Sequence, residues 1–114
     1  METRKVAFVT GASRGIGRAC AISLAQAGYD VAVSARTMID GTSFLDDGIT
    51  PVPGGLDTTV EQIKSTGQEG LPIEMDLLDR ESVLHAADTA IDHFGHIDVL
   101  VNNAIYQGTG AMLT

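Results

Sequence analysis

The sequence contains no tryptophan, a single cysteine and few aromatic residues, which make up 4% of its 114 residues. One cysteine excludes a fold held by intramolecular disulfides, so we expect Cys20 to be a buried structural thiol. Basic residues are also scarce, because seven Lys and Arg face fifteen Asp and Glu and give a net charge of -8. This balance argues against nucleic acid or an anionic membrane surface as a partner.

Long apolar runs are absent as well. No stretch approaches the roughly 20 residues of a membrane helix, and residues 1–5 lead straight into a strand pattern rather than the core of a signal peptide. The sequence therefore predicts a cytoplasmic protein without membrane attachment. Its length suits a single domain over residues 1–114 that buries a core of its own.

The most informative segment is residues 10–17, which read TGASRGIG. The segment joins an apolar strand pattern at residues 6–9 to a helix pattern with apolar positions at Ile16, Cys20, Leu24 and Ala27. Glycines allow a positive φ and the close approach of a phosphate, and the start of a helix offers free N–H groups and a positive dipole end. We therefore predict a pyrophosphate site.

Strand and helix patterns alternate along the rest of the chain, which favours a parallel sheet with helices on its faces. Further strands are predicted at residues 31–35, 71–75 and 97–101. A Thr58-x-x-Glu61 capping box is expected to start the second helix, and Asp79 and Gly95 to bound the third.

Right-handed crossovers place the four predicted strands in the order 3-2-1-4, as in the first half of a Rossmann fold. The predicted fold class is thus α/β, a Rossmann-like three-layer half-fold with a parallel sheet. Residues 37–55 form an extended loop insertion, far longer than the usual connection of about 2–6 residues. It serves either as a lid near the cofactor or as a mobile surface elaboration.

The glycines at positions 11, 15 and 17 are spaced GxxxGxG, and the run VTGASRGIGRA resembles the TGxxxGxG motif of the short-chain dehydrogenase/reductase family. The resemblance implies an oxidoreductase that acts on an alcohol or carbonyl and binds a dinucleotide. Its cofactor-binding residues in this segment would be Gly11, Ser13, Arg14, Gly15, Ile16 and Gly17.

Residues 102–104 read NNA and resemble the NNAG segment of the same family. The resemblance implies that Asn102, Asn103 and Ala104 border the nicotinamide half of the cofactor, although Ile105 stands where the family usually has glycine. A β-branched residue does not easily take a positive φ, so the turn beyond this strand must differ. Alternatively, the asparagines only tie down the end of the strand, which is compatible with the first role.

Charge at the end of the second strand predicts which dinucleotide is bound. Folds specific for NAD place a carboxylate there, about 20 residues past the glycines, whereas this chain has Arg36. Guanidinium groups suit phosphate, so we interpret Arg14 and Arg36 as a clamp for the 2′-phosphate, with Ser13 as a hydroxyl partner and NADP(H) preferred over NAD(H). The alternative is two surface arginines on an acidic chain.

Two polar groups have structural alternatives. By the same resemblance, Asp76 and Leu77 would contact the edge of the adenine, but an isolated aspartate equally well stabilises a turn. His93-x-x-His96 and its neighbours on the third helix could suggest a metal. We interpret them as a solvated helix face and predict no metal site, because no second ligand cluster completes a coordination shell.

No catalytic residue is predicted. The family supplies its proton donor from a YxxxK motif and an upstream serine, but Tyr29 and Tyr106 are followed four positions later by Val33 and Gly110. The family fold also needs about twice this length. We therefore expect the cofactor-binding half of an enzyme, inactive by itself, or alternatively a non-catalytic nucleotide-binding or pairing module. The apolar fourth strand would be a sheet edge that favours self-association.

Overall fold

A computed structural model of the chain describes residues 4–13, 15–36, 43–44, 51–52 and 55–103. The strands are β1 (Val6–Thr10), β2 (Asp30–Ala35), β3 (Ser43–Phe44), β4 (Pro51–Val52), β5 (Gly70–Glu74) and β6 (Val99–Val101). The helices are α1 (Gly15–Gln26), α2 (Leu56–Ser65) and α3 (Arg80–Phe94). None of the helices in these ranges is long and apolar enough to cross a membrane.

Four of the strands form one parallel sheet in the order β5-β2-β1-β6. Since β5 and β6 are the third and fourth strands of the sequence prediction, the predicted order 3-2-1-4 is confirmed. The carboxyl ends of β1 and β6 therefore lie side by side, with Val9 paired to Val101 at the edge where a ligand is expected.

Helices cover both faces of this sheet, so the predicted three layers are confirmed. On one face α1 and α2 pack against the alternate strand residues Val9, Val31, Val33 and Ala35. On the other face α3 packs against Phe8, Ala32, Ile73 and Met75. The alternation along each strand is the reason why one apolar run supplies both cores.

The apolar face predicted for α1 is wrong, because the face that the structure buries is shifted by one residue. Its buried residues are Gly17, Ala21 and Ala25, whereas Ile16 is 74% exposed and Cys20 and Leu24 are only partly buried. Small residues bring the helix close to the sheet, and this close packing outweighs the burial of a larger side chain. Cys20 is therefore half-buried at the border of the core rather than enclosed in it.

The capping box predicted for α2 is also wrong. The helix begins earlier, at Leu56, with Gly55 as its N-cap and without a side-chain cap. The Thr58 hydroxyl instead donates to the carbonyl of Gly55 at 3.0 Å, within the first turn. The earlier start places the fully buried Leu56 on the same helix face as Val60 and Ile63.

The predicted ends of α3 are confirmed. The Asp79 carboxylate accepts from the N–H groups of Glu81 and Ser82, and Gly95 takes a left-handed φ of 87°.

The predicted loop insertion 37–55 lies mostly outside the described residues. Within it, β3 and β4 pair antiparallel over two residues each, which the loop pattern did not predict.

Candidate cofactor site

The glycine turn between β1 and α1 is held in a left-handed conformation at two positions. Gly11 has a φ of 67° and Gly15 a φ of 64°, values that favour glycine. The turn is tied to its surroundings by its backbone, because Ala12 N donates to Ser34 O at 3.1 Å. The buried hydroxyl of Thr59 on α2 donates to Ala12 O at 2.8 Å. A strand and a helix thus both fix the turn through Ala12.

Gly17 is required by packing rather than by its backbone angles. A Cβ at this position would lie 2.2 Å from Gly11 O and 2.6 Å from Asn103 Nδ2. The turn, the first part of α1 and the end of β6 therefore meet without space for a methyl group. This close approach of helix and strand is the role expected of the last glycine in a dinucleotide-binding turn.

The N-terminal end of α1 is accessible to an anion. Gly15 and Ile16 are both exposed, and the first turn of the helix contains no acidic residue. Free N–H groups and the positive end of the helix dipole therefore act without a competing carboxylate. The residues present fit the pyrophosphate of a dinucleotide. Ser13 is buried within the turn, and Arg14 lies outside the described residues.

The end of β6 is joined to the glycine turn by hydrogen bonds. Asn103 Nδ2 donates to Gly11 O at 3.1 Å, and Asn103 N donates to Thr10 Oγ1 at 3.0 Å. The Thr10 hydroxyl in turn donates to Val101 O at 3.3 Å. Asn103 therefore has the structural role that the sequence left open. Asn102 is exposed at the same edge, and Ala104 lies outside the described residues.

A second part of the site lies at the carboxyl ends of β2 and β5. A cavity of about 370 Å³ is lined there by Arg36, Glu74, Met75, Asp76, Asp79 and Ser82. Arg36 is exposed at the position predicted for it, directly after β2. The cavity combines one guanidinium group with three carboxylates, and two of these lie on the segment between β5 and α3.

Asp76 stabilises this segment, as the structural alternative proposed. Its Oδ1 accepts from Leu78 N at 3.0 Å, and its own N–H donates to Ser82 Oγ at 3.0 Å. Leu77 is 38% exposed beside it. The loop geometry that would bring Asp76 and Leu77 to an adenine ring is thus set by hydrogen bonds within the chain.

Sequence reasoning missed several residues of the site, among them Thr59, Glu74 and Ser82. Thr59 looked like an ordinary helix residue, and nothing in the sequence indicates that its hydroxyl reaches a turn 47 residues earlier. Ser82 follows the Asp79 cap and could have been noticed by its position in the first turn. Glu74 is a charged residue within the otherwise apolar run of the predicted third strand at 71–75, a signal that was available.

His93 on α3 and His96 just after it make separate contacts. His93 pairs with Glu69, and His96 Nε2 lies 3.1 Å from Asp98 Oδ2 and 2.9 Å from Arg4 O. Over the described ranges no group of three or more His, Cys, Asp or Glu side chains is arranged to hold a metal ion. These contacts lie at the amino-end edge of the sheet, opposite the glycine turn.

Comparison with known families agrees with this geometry. The sequence model described as short chain dehydrogenase matches residues 5–47 and 49–113. The chain is 39% identical over 97 residues to hydroxysteroid dehydrogenase-like protein 2 of Bos taurus, a match that covers 85% of this chain. The match covers 21% of that protein, so the chain spans about a fifth of the length of the curated relatives it matches.

Solved structures give the same result. A short chain dehydrogenase of Mycobacterium thermoresistibile is 34% identical with a TM-score of 0.74, over 94% of this chain and 36% of that one. An actinorhodin polyketide ketoreductase variant with NADPH is 30% identical with a TM-score of 0.70, over 92% and 34% of the two chains. Carveol dehydrogenase of Mycobacterium avium with NAD is 30% identical with a TM-score of 0.71, over 88% and 35%.

The glycine turn, the strand order and these matches lead to one conclusion: the chain belongs to the short-chain dehydrogenase/reductase family, whose members are oxidoreductases that bind NAD or NADP.

Proposed function

We propose that this chain is the NADP(H)-binding portion of an oxidoreductase that acts on an alcohol or carbonyl substrate. The observation that carries the proposal is Arg36, an exposed guanidinium group at the end of β2, where NAD-specific folds place a carboxylate. A guanidinium group donates to two phosphate oxygens at once and keeps its charge at all relevant pH values. Arg36 would therefore bind the 2′-phosphate.

The remaining residues have complementary roles in this proposal. Gly11, Gly15 and Gly17 shape the turn that receives the pyrophosphate, together with Ser13, Arg14 and Ile16. Asp76 and Leu77 would contact the adenine, and Asn102, Asn103 and Ala104 would border the nicotinamide, whose chemistry is the exchange of a hydride with the substrate. Arg14 completes the 2′-phosphate clamp from the turn. In this proposal the chain contributes no proton donor and is inactive alone. Its cytoplasmic location stays a prediction from the sequence.

Replacing Arg36 tests the cofactor preference directly. Titration of the protein with NADPH and NADH, followed by nicotinamide fluorescence, should show tighter binding of NADPH. Arg36→Ala should weaken NADPH binding about tenfold, since a charge-assisted hydrogen bond is lost, and leave NADH unchanged. Lys64→Ala is the matched control, because it removes one exposed positive charge in the last turn of α2. Equal affinities of the wild type for both cofactors would contradict the proposal.

A pairing module is the second candidate, and it is favoured by the apolar surface of β6 and α3. Leu100 is 60% exposed on β6, and it shares a sheet face with its register partner Phe8, which packs under α3. Leu84 and Ile91 are 55% and 47% exposed on α3, and seven residues apart they lie on one side of the helix. Apolar surface at a strand edge favours association, which we propose for this chain.

Size-exclusion chromatography with light scattering tests this association. The wild type should elute as a dimer or larger species, and Leu100→Lys should shift it to a monomer. Leu78→Lys is the control, since Leu78 is 62% exposed in the turn after β5. A monomeric wild type would contradict the association. The reading frame downstream of Thr114 distinguishes the enzyme proposal from the pairing module. For the enzyme, that frame should encode YxxxK about 40–60 residues further on.

A further inference from the structure

We propose that Glu74 is a specificity-determining residue that opposes Arg36 and limits the preference for NADP(H) over NAD(H). The inference rests on the proposed function, because it concerns the ligand that Arg36 would bind. Glu74 is the last residue of β5 and is exposed. In the register of the sheet it lies beside Ala35, the residue that precedes Arg36, and both charged side chains line the same cavity.

The other two carboxylates of the cavity are already engaged by backbone donors. Asp76 Oδ1 accepts from Leu78 N, and Asp79 Oδ1 accepts from Glu81 N at 3.0 Å and Ser82 N at 3.4 Å. These N–H groups offset part of the negative charge of both aspartates. The carboxylate of Glu74 makes no hydrogen bond or ion pair with the part of the chain that the structure describes.

Arg36 and Glu74 act on a ligand separately, since no ion pair joins them within the described residues. A phosphate monoester carries a charge of about −1.5 to −2 near neutral pH, so the Glu74 carboxylate repels it within a Debye length of about 8 Å. The 2′-hydroxyl of NAD is neutral and can donate a hydrogen bond to a carboxylate. Glu74 therefore lowers the affinity for NADP(H) without lowering that for NAD(H).

Glu74→Gln tests this role, because it removes the charge and keeps the size of an exposed side chain. The dissociation constants of NADPH and NADH are measured at low and high salt. We expect NADPH to bind about threefold tighter at low salt, a gain that shrinks in high salt, with no gain for NADH. Glu61→Gln is the matched control, since it removes one exposed negative charge on α2, and it should change neither constant.

An unchanged ratio of the two constants in Glu74→Gln, or equal tightening of both cofactors, would overturn the inference. The Arg36→Ala titration reports separately on the proposed function. If Arg36→Ala weakens NADPH and Glu74→Gln leaves the ratio unchanged, the role of Glu74 is refuted and the NADP(H) proposal stands. If Arg36→Ala has no effect but Glu74→Gln raises the NADPH preference, the Glu74 role is supported and the clamp is refuted.

Discussion

The two ends of the candidate site are built on different physical principles. At the glycine turn, β1, α1 and β6 meet so closely that position 17 has no space for a Cβ. At the ends of β2 and β5, charged side chains line an open cavity, and Arg36 and Glu74 are both exposed. Steric fit therefore defines the end proposed for the pyrophosphate, which every dinucleotide shares, and electrostatics defines the end proposed for the 2′-phosphate, where NAD and NADP differ.

This difference separates the residues that set the affinity for both dinucleotides from those that discriminate between NAD and NADP. Pyrophosphate is common to both cofactors, so a substitution at the glycine turn should affect both alike. The 2′-phosphate is the single difference between them, so a substitution at the open end should change their ratio. Variants at the turn should also destabilise the fold, whereas exposed charges contribute little to stability.

The largest effect is expected for Gly17→Ala. The new methyl group would lie 2.2 Å from Gly11 O, so helix and turn must separate, at a cost of about 3 kcal/mol in the free energy of unfolding. Gly15→Ala is the local control. A Cβ there meets nothing within 4 Å, and its φ of 64° alone should cost about 1–2 kcal/mol. Urea unfolding measures both, and equal losses would refute the steric account.

A smaller effect is expected for Asn103→Ala. The substitution removes the donor to Gly11 O and should lower the free energy of unfolding by about 1 kcal/mol. Because the turn is the proposed site of the shared pyrophosphate, NADPH and NADH should both bind more weakly by a similar factor. Cofactor titration together with thermal unfolding measures the two effects, and a change in the NADPH/NADH ratio would place Asn103 at the discriminating end instead.

The smallest effect is expected on β2, the strand that connects the two ends. Ser34 is fully buried, and its hydroxyl has no hydrogen-bond partner among the described residues. Ser34→Ala should therefore leave the free energy of unfolding unchanged or raise it by up to about 1 kcal/mol. Thr59→Val is the contrast, since it removes the buried hydroxyl that donates to Ala12 O and should cost about 1 kcal/mol. If Ser34→Ala lowered the free energy of unfolding as much as Thr59→Val, the Ser34 prediction would be contradicted.

Much of the fold could be predicted because local chemistry dominates it. The strand-turn-helix at residues 6–26, the Asp79 cap and the Gly95 terminus all follow from the conformations their residues favour, and the crossover rule then orders the strands. The predictions failed where packing outweighed pattern. Close contact between α1 and the sheet buried Gly17, Ala21 and Ala25 in place of Ile16, and burial of Leu56 shifted the start of α2.

The sequence by itself determined the parallel sheet, the glycine turn and the position of Arg36, because glycine spacing, strand alternation and charge are properties of neighbouring residues. Only the tertiary structure decided what surrounds them. The contacts of Asn103 with Gly11, of Thr59 with Ala12 and of Glu74 with the Arg36 cavity join residues 38 to 92 positions apart. Such pairings depend on how layers pack and on strand register, which no local pattern encodes.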